Sequence, residues 1–150
     1  MYTNPRNTLG IELRTNSVNF CKLDDRQSTP LFLSKKIQSP NMPGAVVIFL
    51  SDLIRFLDRE SPSFNICIGL EGVLNPSNRI VLLSSDMPYW NDVPLCDWLE
   101  IQTGKNVFLE NLQNCARQAY SWQQVENFQF DHENTNAFGA ALLASVATSH

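Results

Sequence analysis

The sequence predicts an α/β domain built on a mixed sheet of about five strands, and three observations lead there. Segments 8–14 (TLGIELR) and 17–24 (SVNFCKLD) both alternate and are joined by Thr15-Asn16 alone, the pattern of an antiparallel hairpin. Segments 64–69 (FNICIG) and 106–110 (NVFLE) are short apolar runs of the kind found in buried parallel strands. Between and after these runs, apolar residues recur at helical spacing.

Taken in order, the first strand presents Leu9, Ile11 and Leu13 on one face, and the second presents Val18, Phe20 and Lys22 on another. Asp24 to Gln27 make a polar turn, and 30–38 (PLFLSKKIQ) return as a third strand. Pro43-Gly44 open a helix over 45–60 with Val47, Leu50, Leu53, Ile54 and Leu57 on its apolar stripe; Ser61-Pro62-Ser63 ends it. A Gly-containing turn and a Pro-Ser-Asn-Arg turn lead to a further apolar strand and an aromatic loop. The next helix, 94–104, stops at Thr103-Gly104, a C-cap pair. Another helix covers 114–122, the stretch 126–136 is polar and irregular, and a small-residue helix covers 137–148. In that last helix Phe138, Leu142 and Val146 form one stripe, with Asn134 or Thr135 as N-cap. The order βββαβαβα plus a C-terminal helix is that of a ribonuclease-H-like, or actin-like ATPase, half domain.

At 150 residues the chain is expected to be one domain, and 43% hydrophobic with 17% charged residues is a globular composition. A net charge of -4 argues against a nucleic-acid surface, which needs clustered Lys and Arg. The single adjacent basic pair, Lys35-Lys36, reads as a solvated strand edge. No apolar signal core or membrane-length run is present. Cys21, Cys67, Cys96 and Cys115 lack metal-ligand spacing, so buried free thiols and a cytoplasmic location are expected, with no metal, cofactor or membrane partner.

Three motifs in 66–116 then carry a resemblance. Gly69 to Pro76 reads G-x-x-G-x-hydrophobic-x-P, Pro88 to Leu95 reads P-x-W-x-x-[VI]-P-L, and Glu110-Asn111-Leu112 closes a strand. This resembles the ROK family of repressors and sugar kinases (repressor, open reading frame, kinase), whose strand end reads E-N-D and supplies the catalytic aspartate. Gly139 to Ala144 (GAALLA) matches the family's last helix, which packs back onto the first lobe. The resemblance implies that 1–150 form a single ROK-like N-terminal lobe, with 137–148 returning to it and no second lobe between.

The resemblance also says what is altered. The family's phosphate-binding hairpin reads D-x-G-G-T, where glycines admit backbone N–H groups to the phosphate. Here the same positions hold Glu12, Leu13, Arg14, Thr15 and Asn16. Leu112 stands where the family has the aspartate that deprotonates the sugar hydroxyl. The second-lobe E-x-G-H motif and the Cys-rich zinc loop are missing from the sequence. Gly72, Trp90 and Asn111 are a candidate sugar-binding remnant, an aromatic face with amide hydrogen bonds. Leu70, Tyr89, Leu112 and Phe128 are candidates for an exposed interaction surface. The expectation is a non-catalytic binding or regulatory module acting through a protein partner or as a homodimer; the alternatives are a sugar-kinase component and a residual carbohydrate sensor.

Overall fold

The structure, a computed structural model, describes residues 7–24, 29–126 and 132–147. Its elements are β1 (Thr8–Leu13), β2 (Ser17–Leu23), β3 (Leu31–Lys36), α1 (Pro43–Asp58), β4 (Asn65–Leu70), β5 (Val73–Leu74), β6 (Val81–Leu83), α2 (Leu95–Thr103), β7 (Asn106–Asn111), α3 (Leu112–Glu126) and α4 (Thr135–Ala147). A 3-10 turn, His132–Asn134, precedes α4. Five strands form one mixed sheet in the order β3-β2-β1-β4-β7, and β5 with β6 form a separate small hairpin. The first three strands are antiparallel, whereas β1, β4 and β7 run parallel. This is the α/β half-domain architecture expected from the sequence.

Alternation along each strand sorts side chains to two sides. Leu9, Ile11, Leu13, Val18 and Phe20 join Val46, Leu50 and Ile54 of α1 and Leu95 and Leu99 of α2 in one buried cluster. The opposite side is filled by α3 and α4 through Cys21, Cys67, Cys115, Ala119 and the alanines of α4. The register corrects one expectation. Leu9 pairs with Lys22, Ile11 with Phe20 and Leu13 with Val18. Directly opposed residues of an antiparallel pair project to the same side, so the two stripes share one face of the sheet.

Lys22 lies at the end of that stripe, only 4% exposed, where its Nζ donates to Asp58 Oδ1 (2.8 Å), Leu57 O (3.0 Å) and Ser61 O. Asp58 also accepts the Ser63 amide (2.9 Å) and pairs with Lys105 (3.0 Å). Burial alone would push the Asp58 carboxyl up, but the hydrogen bonds from Lys22, Ser63 and Lys105 outweigh it and hold the group below its ordinary value. The cluster ties the C-terminus of α1 to β2 and to the entry of β7.

The last helix also departs from expectation. Val146 is 53% exposed, and the buried face is Ala137, Ala140, Ala141 and Ala144 with Phe138. Small residues are needed because the backbones approach closely. A Cβ on Gly10 of β1 would overlap the backbone of Ala137 and Ala141, and one on Gly139 would overlap the carbonyl of Cys115 in α3. Thr8 Oγ1 adds a hydrogen bond to Ala141 O (3.2 Å). The helix expected over 114–122 is longer, starting at Leu112 and reaching Glu126.

The four cysteines are buried and free, as their apolar contexts suggested. Burial raises the Cys21 and Cys67 thiols well above the ordinary value and pushes Cys96 up to about 12. Among the described residues no cluster of His, Cys, Asp and Glu could hold a metal, and no helix is long and apolar enough to cross a membrane.

Candidate functional site

Parallel strands in an α/β sheet end on one side, and ligands of such folds bind outside those carboxyl ends. Here β1, β4 and β7 place Glu12, Gly69 and Glu110 side by side at that end. Each strand end is closed by a local arrangement that the sequence dictates.

Glu12 is held from three directions. Asn19 Nδ2 donates to Oε1 (2.8 Å), while Asn136 Nδ2 (2.9 Å) and Arg14 Nη1 (3.3 Å) donate to Oε2. Its side chain is only 7% exposed. The hairpin tip beyond it is equally occupied. The Arg14 amide donates to Ser17 O (2.9 Å), Arg14 Nε lies 3.6 Å from Asp86 Oδ2, and Thr15 Oγ1 donates to Asp86 O (2.6 Å). The tip is thereby latched to the loop that follows β6, and the Arg14 N–H is committed to the turn. Arg14 spans two carboxylates, with 43% of its side chain exposed.

At the end of β4 and β7, Leu112 is only 4% exposed. Its Cδ2 lies 3.1 Å from where a Cβ on Gly69 would sit, and Cys115 Sγ lies 2.7 Å from the same point. These two side chains of α3 fill the space that Gly69 leaves open. Asn111 accepts the Asn114 amide at Oδ1 (2.8 Å), so its side-chain oxygen is the N-cap of α3. Glu110 Oε1 accepts the Asn111 amide (3.1 Å) and Asn114 Nδ2 (2.8 Å).

Several expectations are corrected at this end of the sheet. Trp90 offers no face for a sugar: it is fully buried with Met87 in the main core, and its Nε1 donates to Pro40 O (2.8 Å). Gly72 serves the β5–β6 hairpin, where a Cβ would overlap Leu83 O. Leu70 is fully buried in the main core on the α1 and α2 side of the sheet, Leu112 is nearly so against Gly69, and neither is part of an exposed surface. Tyr89 is 66% exposed. Phe128 lies outside the described residues.

The partners of Glu12 were not singled out from the sequence. Asn19 had a signal, since hairpin register sets it opposite Glu12. Asn136 had none, being 124 positions away.

No protein-family model matches the chain. A glucokinase of Thermotoga maritima is 44% identical over 55 residues, which is 37% of this chain and 17% of that protein. A beta-glucoside kinase of Listeria monocytogenes is 29% identical over 102 residues, 65% of this chain and 34% of that protein. Among solved structures, a ROK family glucokinase from Streptomyces griseus in complex with glucose and AMPPNP superposes with a TM-score of 0.64 at 20% identity, covering 75% of this chain and 35% of that one. A ROK hexokinase from Thermus thermophilus gives 0.63 at 25% identity, with 75% and 37% covered. A ROK family transcriptional regulator, a homolog of the E. coli MLC protein, gives 0.62 at 17% identity, with 79% and 31% covered.

The sheet order and the layers are those of half of an actin-like sugar-kinase fold. More particularly, the chain has a ROK-like sugar-kinase fold. It spans about a third or less of the length of the curated relatives it matches.

Proposed function

We propose that this chain is a non-catalytic, ROK-like binding or regulatory module of the cytoplasm, a pseudokinase that works through protein contacts. The observation that carries this reading is Leu112, buried against Gly69 at the strand end where the resemblance calls for a proton-accepting aspartate. A leucine has no lone pair to accept the proton of a sugar hydroxyl, and general-base assistance commonly contributes 10²–10⁴-fold. The latched hairpin supports the same reading. Phosphate binding by a hairpin needs free, approachable N–H groups, and here the Arg14 amide and the Arg14 and Thr15 side chains are engaged within the protein. The burial of Trp90 leaves a carbohydrate sensor without its aromatic face.

The test is a coupled assay of phosphoryl transfer from ATP to glucose and to a beta-glucoside, with thermal unfolding followed over the same sugars. The expected results are no turnover above background and no change in melting temperature. Turnover by the chain, alone or with a second polypeptide, overturns the proposal; a sugar-dependent rise without turnover makes it a sensor instead.

A further inference from the structure

The two edges of the sheet are finished differently. Along β7 the chain covers its own outward groups. The Val107 amide donates to the Glu100 carboxylate (2.9 Å), the Leu109 amide to Asn78 O (3.0 Å), and Arg79 Nη1 to Val107 O (3.4 Å). On β3, the other edge, the described residues provide no such cover. Its phase is fixed by the Ile37 amide, which donates to Asn16 O (2.9 Å). Alternation along the antiparallel pair then turns Leu31, Leu33 and Lys35 toward β2, and the backbone groups of Phe32, Ser34 and Lys36 outward.

We infer that a second copy of this chain occupies that edge, β3 against β3 in antiparallel pairing about a two-fold axis at Ser34. The inference is independent of whether catalysis has been lost. A two-fold perpendicular to the sheet keeps the faces of both copies matched, so residues an even number of positions apart must face each other. Centring on Phe32 would set Ser34 against Pro30, and centring on Leu33 would set Lys36 against it; Pro30 has no N–H to donate. Centring on Lys35 would oppose two ammonium groups. Centring on Ser34 pairs Ser34 with itself, Phe32 with Lys36 and Leu33 with Lys35. Every outward N–H and C=O of Phe32, Ser34 and Lys36 then finds a partner within β3, no like charges face, and the lysine stems lie along Phe32 and Leu33. Lysine and proline on an edge ordinarily discourage pairing. Here they exclude the neighbouring registers and leave one.

The association rests on a short ladder, so it is expected to be concentration-dependent, in the range of about 10 to 500 µM. Light scattering coupled to size exclusion should show the mass rising from the 17.0 kDa monomer toward twice that value. Ser34→Pro removes an outward N–H without touching the ladder to β2, and should hold the chain monomeric with its circular dichroism unchanged. Ser34→Cys places two thiols on a hydrogen-bonded pair with Cα atoms about 5.5 Å apart. On exposure to dioxygen it should give a reducible dimer on a non-reducing gel, even if the proline variant fails to fold. A wild-type mass fixed at the monomer value overturns the inference. So does a dimer that Ser34→Pro leaves intact while Ser34→Cys fails to cross-link.

Discussion

Replacing Leu112 by Asp introduces the residue that the ROK resemblance calls for at this position, and its burial in the structure predicts an unstable protein. Leu112 is 4% exposed and packs on Gly69 at the head of α3. Removing a fully buried leucine forfeits about 1.5–3 kcal/mol of transfer free energy. The carboxylate put in its place loses water, and the neighbouring Asn111 oxygen is already committed to the helix cap, so it adds about 1–3 kcal/mol more. The sum is about 2.5–6 kcal/mol, a large part of the 5–15 kcal/mol typical of a domain. The penalty is pH-dependent. In the unfolded chain the new group titrates near the usual value of about 3.9, and in the folded chain burial raises it. The native state then binds more protons, so the variant's stability falls as pH rises from about 4 through the folded value. Urea unfolding followed by tryptophan fluorescence at pH 4.5 and 7.5 measures this, with Leu112→Asn as the non-titrating comparison. A loss below about 1 kcal/mol at pH 7.5, equal at both pH values, would mean that position 112 opens to solvent, and the filled strand end would be refuted.

Three further outcomes are expected. Asp58→Ala leaves Lys22 and Lys105 without their carboxylate and should cost about 3–5 kcal/mol in urea unfolding. Because the folded Asp58 value is lowered, the wild-type contribution is present above the unfolded value of about 3.9 and is lost as pH falls through the folded one; a flat pH profile between 2 and 5 would contradict this. Gly10→Ala forces α4 off β1 and should cost at least about 1–3 kcal/mol, with amide exchange in α4 accelerated first; unchanged exchange there would refute the close approach. The four thiols should react with an aromatic disulfide reagent only as fast as the protein opens, and a thiol titrated within the mixing time of the native protein would contradict their burial.

Much of the fold was legible because it rests on local periodicity. The period of two in β1 and β2, the helical stripe of α1 and the Thr103-Gly104 stop all follow from side-chain direction and backbone freedom within a few residues. What escaped was set by contacts distant in sequence. The face of α4 could not be chosen from its own residues, since alanines surround the helix and the choice falls to Gly10, more than a hundred positions earlier. Trp90 illustrates a second limit. An aromatic residue in a loop reads equally as a ligand platform or as a core plug, and only the buried indole N–H on Pro40 O decides between them. At the site, Glu12, Arg14, Thr15 and Leu112 were singled out by the motif resemblance, whereas the Asp86 latch and the Asn136 amide that hold the first three belong to the tertiary structure.

The cover on β7 bears on how far the sheet of the proposed pair could extend. A sheet open at both margins can add copies without end, whereas one whose far margin is sealed by Arg79, Glu100 and Asn78 offers a single place for pairing. In the proposed pair, both copies would turn the covered β7 margins of the five-stranded sheet outward. Growth of that sheet by edge pairing would then stop at two copies, through the chemistry of the strand that does not participate.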